Sequence, residues 1–153
     1  DRWWRFRRPQ GVRASRFRRK LIVPSIMAEA SAVYDVTGAL AFTASGKSGG
    51  GGWAIQLRPG ETRVTRRWLL AVLNSGEIWR WLQIEGDRKK GGFRGVDQSV
   101  LRRLPIPIPD RRLQQKVGQL TKKIETAIAS GDGSNETVIK TTIDGMVQRS
   151  FSR

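Results

Sequence analysis

Three prolines at alternate positions, in Leu104-Pro-Ile-Pro-Ile-Pro109, constrain this chain more than any other feature. Each lacks a backbone N–H and clashes with the preceding turn of a helix, so no helix continues through the run. Ahead of it lies a basic loop, Arg88, Lys89, Lys90, Gly91, Gly92, Phe93 and Arg94. Gly91 and Gly92 allow the backbone positive φ or close approach to a ligand. Asp97 or Ser99 is placed to cap a short helical turn, Val100 to Leu104, between loop and prolines. The expected result is a charged loop anchored at one end and stiffly braced at the other.

Upstream, the chain reads as short strands. Lys20 to Ile26, Ala32 to Val36, Ala39 to Ala44 and Trp53 to Leu57 are β-branched or aromatic runs bounded by Gly, Pro and Ser. Asp35-Val-Thr-Gly38 predicts a turn that makes the second and third runs a hairpin. Thr65 to Glu85 reads as one helix with Thr65 as its cap, because Leu69, Val72, Leu73, Gly76, Trp79 and Leu82 recur at helical spacing. That stripe, with Trp79 and Trp81, is expected in the core. After Asp110, a candidate N-cap, Leu113, Val117, Leu120, Ile124 and Ile128 form a narrow seam for one neighbouring helix. Gly131-Asp-Gly-Ser-Asn135 breaks the pattern, and Ile139, Ile143, Met146, Val147 and Phe151 begin another stripe, so two antiparallel helices follow. The fold class expected is α+β: a small, mostly antiparallel sheet with a packed helix, then a C-terminal helical hairpin. The expected division is a domain over 1–109 and a helical tail over 110–153 that packs on that domain or on a catalytic partner.

Charge narrows the partner. Twenty-nine Lys and Arg stand against 13 acidic residues in 153, a net charge of +16. That exceeds what solubility needs and points to a polyanion, nucleic acid ahead of a membrane surface. With no Cys and no His, disulfides, thiolate or imidazole metal sites and histidine-based triads are excluded. No apolar run approaches the roughly 18 residues that span a bilayer, and no apolar signal core follows the basic start. A cytoplasmic, soluble protein is expected. The first residue is Asp, which is compatible with a piece of a longer chain.

Several motifs bear on chemistry. Residues 1–20 carry nine basic side chains and one acid, interleaved with Trp3, Trp4, Phe6 and Phe17. The segment reads either as a nucleic-acid arm or as tryptophan anchors with outward arginines. Ser45-Gly-Lys-Ser-Gly-Gly-Gly-Gly52 contains Gly46-Lys47-Ser48 but is no phosphate-binding loop of the nucleotide-hydrolysing kind: the required upstream glycine falls at Ala41, and a helix does not readily begin on four glycines. A flexible loop suited to phosphate or groove contact remains, as does a plain hairpin loop.

The residues Gly-Gly-Phe-Arg at 91–94, Ser-Val-Leu at 99–101 and Leu-Pro-Ile-Pro-Ile-Pro at 104–109 resemble the TaqI-like C-terminal specificity domain of adenine-specific DNA methyltransferases and restriction-modification enzymes. Trp3-Trp4 with Arg8-Pro9, Lys20-Leu-Ile-Val-Pro24 and Leu70-Ala-Val-Leu-Asn-Ser75 match in the same order. The resemblance implies recognition of double-stranded DNA on behalf of a methyltransferase catalytic domain or subunit that carries S-adenosylmethionine. It also implies a helical tail after the prolines. This chain departs from the family's Tyr-Gly-Leu near that end, where Arg149-Ser-Phe-Ser stands instead.

The catalytic loop of such enzymes, Asn/Asp-Pro-Pro-aromatic, is absent, since no two of the six prolines are adjacent. No compact carboxylate cluster replaces it, and a binding module, not an enzyme, is expected. Loop position and charge single out Lys89, Lys90 and Arg94, then Lys47 and Ser48, then Arg102 and Arg103, the last two either as phosphate contacts or as a solvated helical face. No cofactor is expected on this chain. The rival readings are a non-catalytic RNA-binding or ribosome-associated protein, and a subunit whose 110–130 helix pairs with a second copy.

Overall fold

The structure is a computed structural model that describes residues 18–40, 51–131 and 134–152. Its class is α+β, with helices outweighing two small antiparallel sheets. Strand β1 (Lys20–Pro24) lies between β3 (Val33–Asp35) and β4 (Gly52–Ile55). Register is set by the pairs Ile22 with Val33 and Val23 with Trp53. Alternation drives the placement, for Leu21 and Val23 are buried in the core while Ile22 between them is only half-buried.

The expected single strand Lys20 to Ile26 is divided. Ser25 ends β1, and Ile26–Met27 form β2 in a second sheet, ordered β2-β6-β5, with β5 at Asp87–Arg88 and β6 at Arg94–Gly95. Ser25 joins the two sheets, because its N–H and hydroxyl both donate to the Gly51 carbonyl (3.0 and 3.1 Å) and its own carbonyl accepts from Val96 N at 2.8 Å. The hairpin expected between 32–36 and 39–44 is corrected too. The Asp35 carboxylate accepts from Gly38 N (2.8 Å) and Leu40 N (3.1 Å), so the turn forms, but β3 pairs with β1 and neither Ala39 nor Leu40 is in a strand. Residues 41–44 lie outside the described residues.

The helix expected over Thr65 to Glu85 is two helices, α1 (Arg66–Leu73) and α2 (Gly76–Glu85). Thr65 caps the first as expected, its hydroxyl accepting from Trp68 N at 3.2 Å. The break comes from Asn74 and Ser75, whose side chains compete for backbone partners. Asn74 Nδ2 donates to the Leu70 and Ala32 carbonyls, and its Oδ1 accepts from Ala32 N. Ser75 donates its hydroxyl proton to the Val72 carbonyl and accepts from Ile78 N, which starts α2.

A short α3 (Gln98–Arg102) precedes the proline run, and α4 (Arg111–Ser130) follows it with Asp110 as the expected cap, accepting from Leu113 N at 2.8 Å. Helix α5 (Glu136–Phe151) folds back on α4, and both pack on α1. Val117, Ile143, Met146 and Val147 enter the same core as Trp68, Val72 and Ile78. Burial contributes roughly 1.5–3 kcal/mol for each such side chain, so the hairpin is integral to the domain's core. The α4 seam is occupied within the chain as far as Ile124, and Ile128 at its end is exposed.

Candidate nucleic-acid interface

The basic loop is a tight β-hairpin at the end of α2. Gly86 permits the entry: a Cβ there would sit 2.5 Å from the Leu82 carbonyl oxygen. Strand β5 then pairs with β6, bringing Arg88 opposite Arg94. Between them Lys90–Gly92 make one turn of 3₁₀ helix, with φ of 75° at Gly91 and 82° at Gly92. Those angles are the positive φ expected of this pair, and they strain any residue with a Cβ. Lys89 N donates to the Phe93 carbonyl at 3.0 Å and closes the turn. Because β6 also pairs with β2, the loop grows from a sheet edge tied through Ser25 to the first sheet.

The cations here fall into two kinds. Lys89 Nζ lies 2.6 Å from Asp87 Oδ2, and Arg103 NH1 lies 2.6 Å from Glu85 Oε2 at the loop's root. Exposed pairs of this type are worth about 0–1 kcal/mol, so a phosphate readily competes for either cation. Arg94 is half-buried and turns back on α2, donating through Nε to the Gln83 carbonyl (3.2 Å) and through NH1 to the Phe93 carbonyl (3.3 Å). It therefore holds the hairpin to the end of α2, a task sequence reasoning did not give it. The Arg88, Lys90 and Arg102 side chains make no hydrogen bond or ion pair among the described residues, and all three are exposed. Arg88, left out of the sequence-derived site residues, belongs with Lys90, and its signal was the loop's run of three cations. Phe93 adds an exposed ring beside them. Lys47 and Ser48, like residues 1–17 of the basic arm, lie outside the described residues.

On the far side of the hairpin the backbone is pinned by polar side chains, from the exposed Asp97 to the buried Trp68 and Gln114. Trp53 Nε1 donates to the Val96 carbonyl at 2.7 Å. Asp97, not Ser99, caps α3: it accepts from Val100 N at 2.8 Å and from the Ser99 hydroxyl at 2.7 Å. The Ser99 bond, then that of Val100, holds the Asp97 carboxyl below its ordinary value. The proline run is held at two points. Trp68, with no exposed surface, donates from its indole to the Pro107 carbonyl at 2.9 Å. Gln114, 1% exposed, donates to the carbonyls of Pro109 (3.0 Å) and Arg63 (2.7 Å) and accepts from Thr65 N (2.8 Å). One amide thus ties the run, the segment before α1 and α4 together.

Trp79 and Trp81 are half-buried and packed against the core, in keeping with the sequence expectation. Among the described residues no helix is long and apolar enough to cross a membrane, and no group of three or more acidic side chains stands where it could hold a metal ion. No protein-family model matches the chain, and no curated protein matches it significantly.

Proposed function

We propose that this chain is the double-stranded DNA target-recognition module of an adenine-N6 methyltransferase or restriction-modification system. The observation that carries the reading is the basic, glycine-turned hairpin, with Arg88 and Lys90 unpartnered among the described residues, on a chain of net charge +16. Lys and Arg around it neutralise phosphates and set register, and the hairpin, narrow enough for the major groove, presents side chains to base edges. The pinned proline run keeps the support beneath it rigid, so little ordering cost falls on binding. A separate catalytic domain or subunit, carrying S-adenosylmethionine, flips the adenine and transfers the methyl group. This chain selects the position.

Fluorescence anisotropy with a labelled duplex DNA pool and a duplex RNA of equal length tests the reading. Tighter binding to DNA, with affinity falling steeply as salt rises, is the expected result; preference for RNA overturns it in favour of an RNA-binding protein. Lys89→Ala combined with Lys90→Ala is expected to weaken DNA binding and to reduce the salt slope by about one for each phosphate no longer neutralised. An unchanged slope removes the hairpin from the interface. Arg94→Ala is expected to weaken binding to all duplexes alike, because its guanidinium positions the hairpin; selection experiments showing relaxed preference at one base pair would make it a reader of that base instead.

A further inference from the structure

A groove of about 720 Å³ runs between the segment 29–36, the α1–α2 junction and the α4–α5 hairpin. Val33, Val36 and Ile128 line it and are 50%, 50% and 60% exposed, with Ile124 one turn before Ile128 on α4. That much apolar surface left to water on one concave face marks a binding surface. Its charge runs against the rest of the chain. Among the described residues that line it, Glu29, Glu125 and Asp144 meet Lys140 as the one lysine or arginine, on a chain with 29 basic residues and 13 acidic ones. Lys140 is already paired with Glu136. Glu125 is engaged by Arg67 and Asp144 by the Gly76 N–H, while Glu29 makes no ion pair among the described residues. Such a lining repels phosphates and suits a cationic segment with large apolar side chains.

We propose that the occupant is this chain's own segment 1–17, with Trp3 and Trp4 seated in the groove and arginines of the segment set against its carboxylates. The segment has the required chemistry, since Arg2, Arg5, Arg7 and Arg8 flank Trp3, Trp4 and Phe6. Its point of departure is at the groove's rim: Arg19 N donates to the carbonyl of Val36, a lining residue, at 3.2 Å. Arg19 takes a φ of 55°, the left-handed region that a residue with a Cβ rarely adopts, so the chain upstream turns out of the line of β1. The 15 positions from Trp4 to Arg19 reach up to about 50 Å when extended, ample for a groove that begins beside Val36. Indole rings there replace water on the apolar wall, while arginine stems lie along it and keep their charged heads at the edge. The inference goes beyond the DNA reading and does not depend on it.

Nuclear Overhauser spectra of the full chain, labelled with ¹³C at its valine and isoleucine methyl groups, test the assignment. Cross-peaks from the Trp3 and Trp4 indole protons to methyl groups of Val33, Val36, Ile124 or Ile128 are expected. They should vanish in Trp3→Ala with Trp4→Ala, while cross-peaks from Trp68 to the core persist. The wild-type spectrum decides, whether or not that variant folds. Absence of the contacts in the wild-type chain overturns the proposal. So do contacts seen only between molecules in a mixture of labelled and unlabelled protein, which make the occupant a second copy. Indoles that stand clear of the groove and shift on addition of duplex DNA also overturn it, and make the segment a nucleic-acid arm. Lys89→Ala with Lys90→Ala should leave the cross-peaks in place, so failure of this docking and failure of the hairpin reading are read separately.

Discussion

Trp68→Ala is expected to destabilise the chain by about 3–5 kcal/mol, the range for truncating a large buried aromatic side chain. The indole is fully buried at the centre of the core and is also the anchor of the proline run through its bond to the Pro107 carbonyl. The two contributions separate in Trp68→Phe, which keeps most of the apolar contact and removes the N–H. That variant leaves the Pro107 carbonyl without its donor and should cost about 1–3 kcal/mol. Urea unfolding reads both values. If Trp68→Phe unfolds at the wild-type midpoint, the indole bond is not what holds the run, and Gln114 carries that role alone.

Breaking the buried ion pair between Lys20 and Asp35 should be about as severe. Lys20 is completely buried and Asp35 is 4% exposed, with Nζ and Oδ2 2.5 Å apart across the β1–β3 pairing. Removing one partner strands the other charge in the core, and either Lys20→Met or Asp35→Asn is expected to cost about 3–5 kcal/mol. The double variant Lys20→Met with Asp35→Asn should cost markedly less than the sum, because no charge then remains to be desolvated and the Asn oxygen can still accept from Gly38 N and Leu40 N. Additive losses would show that the partners act separately.

The same pair makes a pH prediction. Burial pushes the Asp35 carboxyl up, but the Lys20 ammonium and the N–H groups of Gly38 and Leu40 outweigh it and bring it to about 2. Its folded value thus lies below the ordinary value of 3.8, and its contribution is complete above that value. It is lost as pH falls through about 2. Acid titration of unfolding stability should therefore show a decline below about pH 4 that the double variant lacks in part.

Much of the framework was legible from local chemistry. Caps at Thr65 and Asp110, positive φ at Gly91 and Gly92, and the two stripes of the C-terminal hairpin each follow from backbone preference or side-chain periodicity within a few residues. The Thr65 to Glu85 stripe was read correctly as a buried face and wrongly as one helix. A stripe registers which side is apolar, while the break depends on Asn74 reaching Ala32, 42 positions earlier. The divided strand at Ser25 has the same origin, in bonds to Gly51 and from Val96.

The candidate sites divide along the same line. Residue type and order placed cations on a glycine-turned loop before a proline brace, because those preferences act over one or two turns of chain. Which of the cations are free depended on the fold: it set Asp87 against Lys89, Glu85 against Arg103 and the Gln83 carbonyl against Arg94. It also brought Glu29, Glu125 and Asp144 to one groove and made Gln114 a clamp across 51 residues. Apart from Asp87 and Lys89, which are two positions apart, such partners are chosen by packing between segments separated along the chain, and no pattern confined to neighbouring residues encodes them.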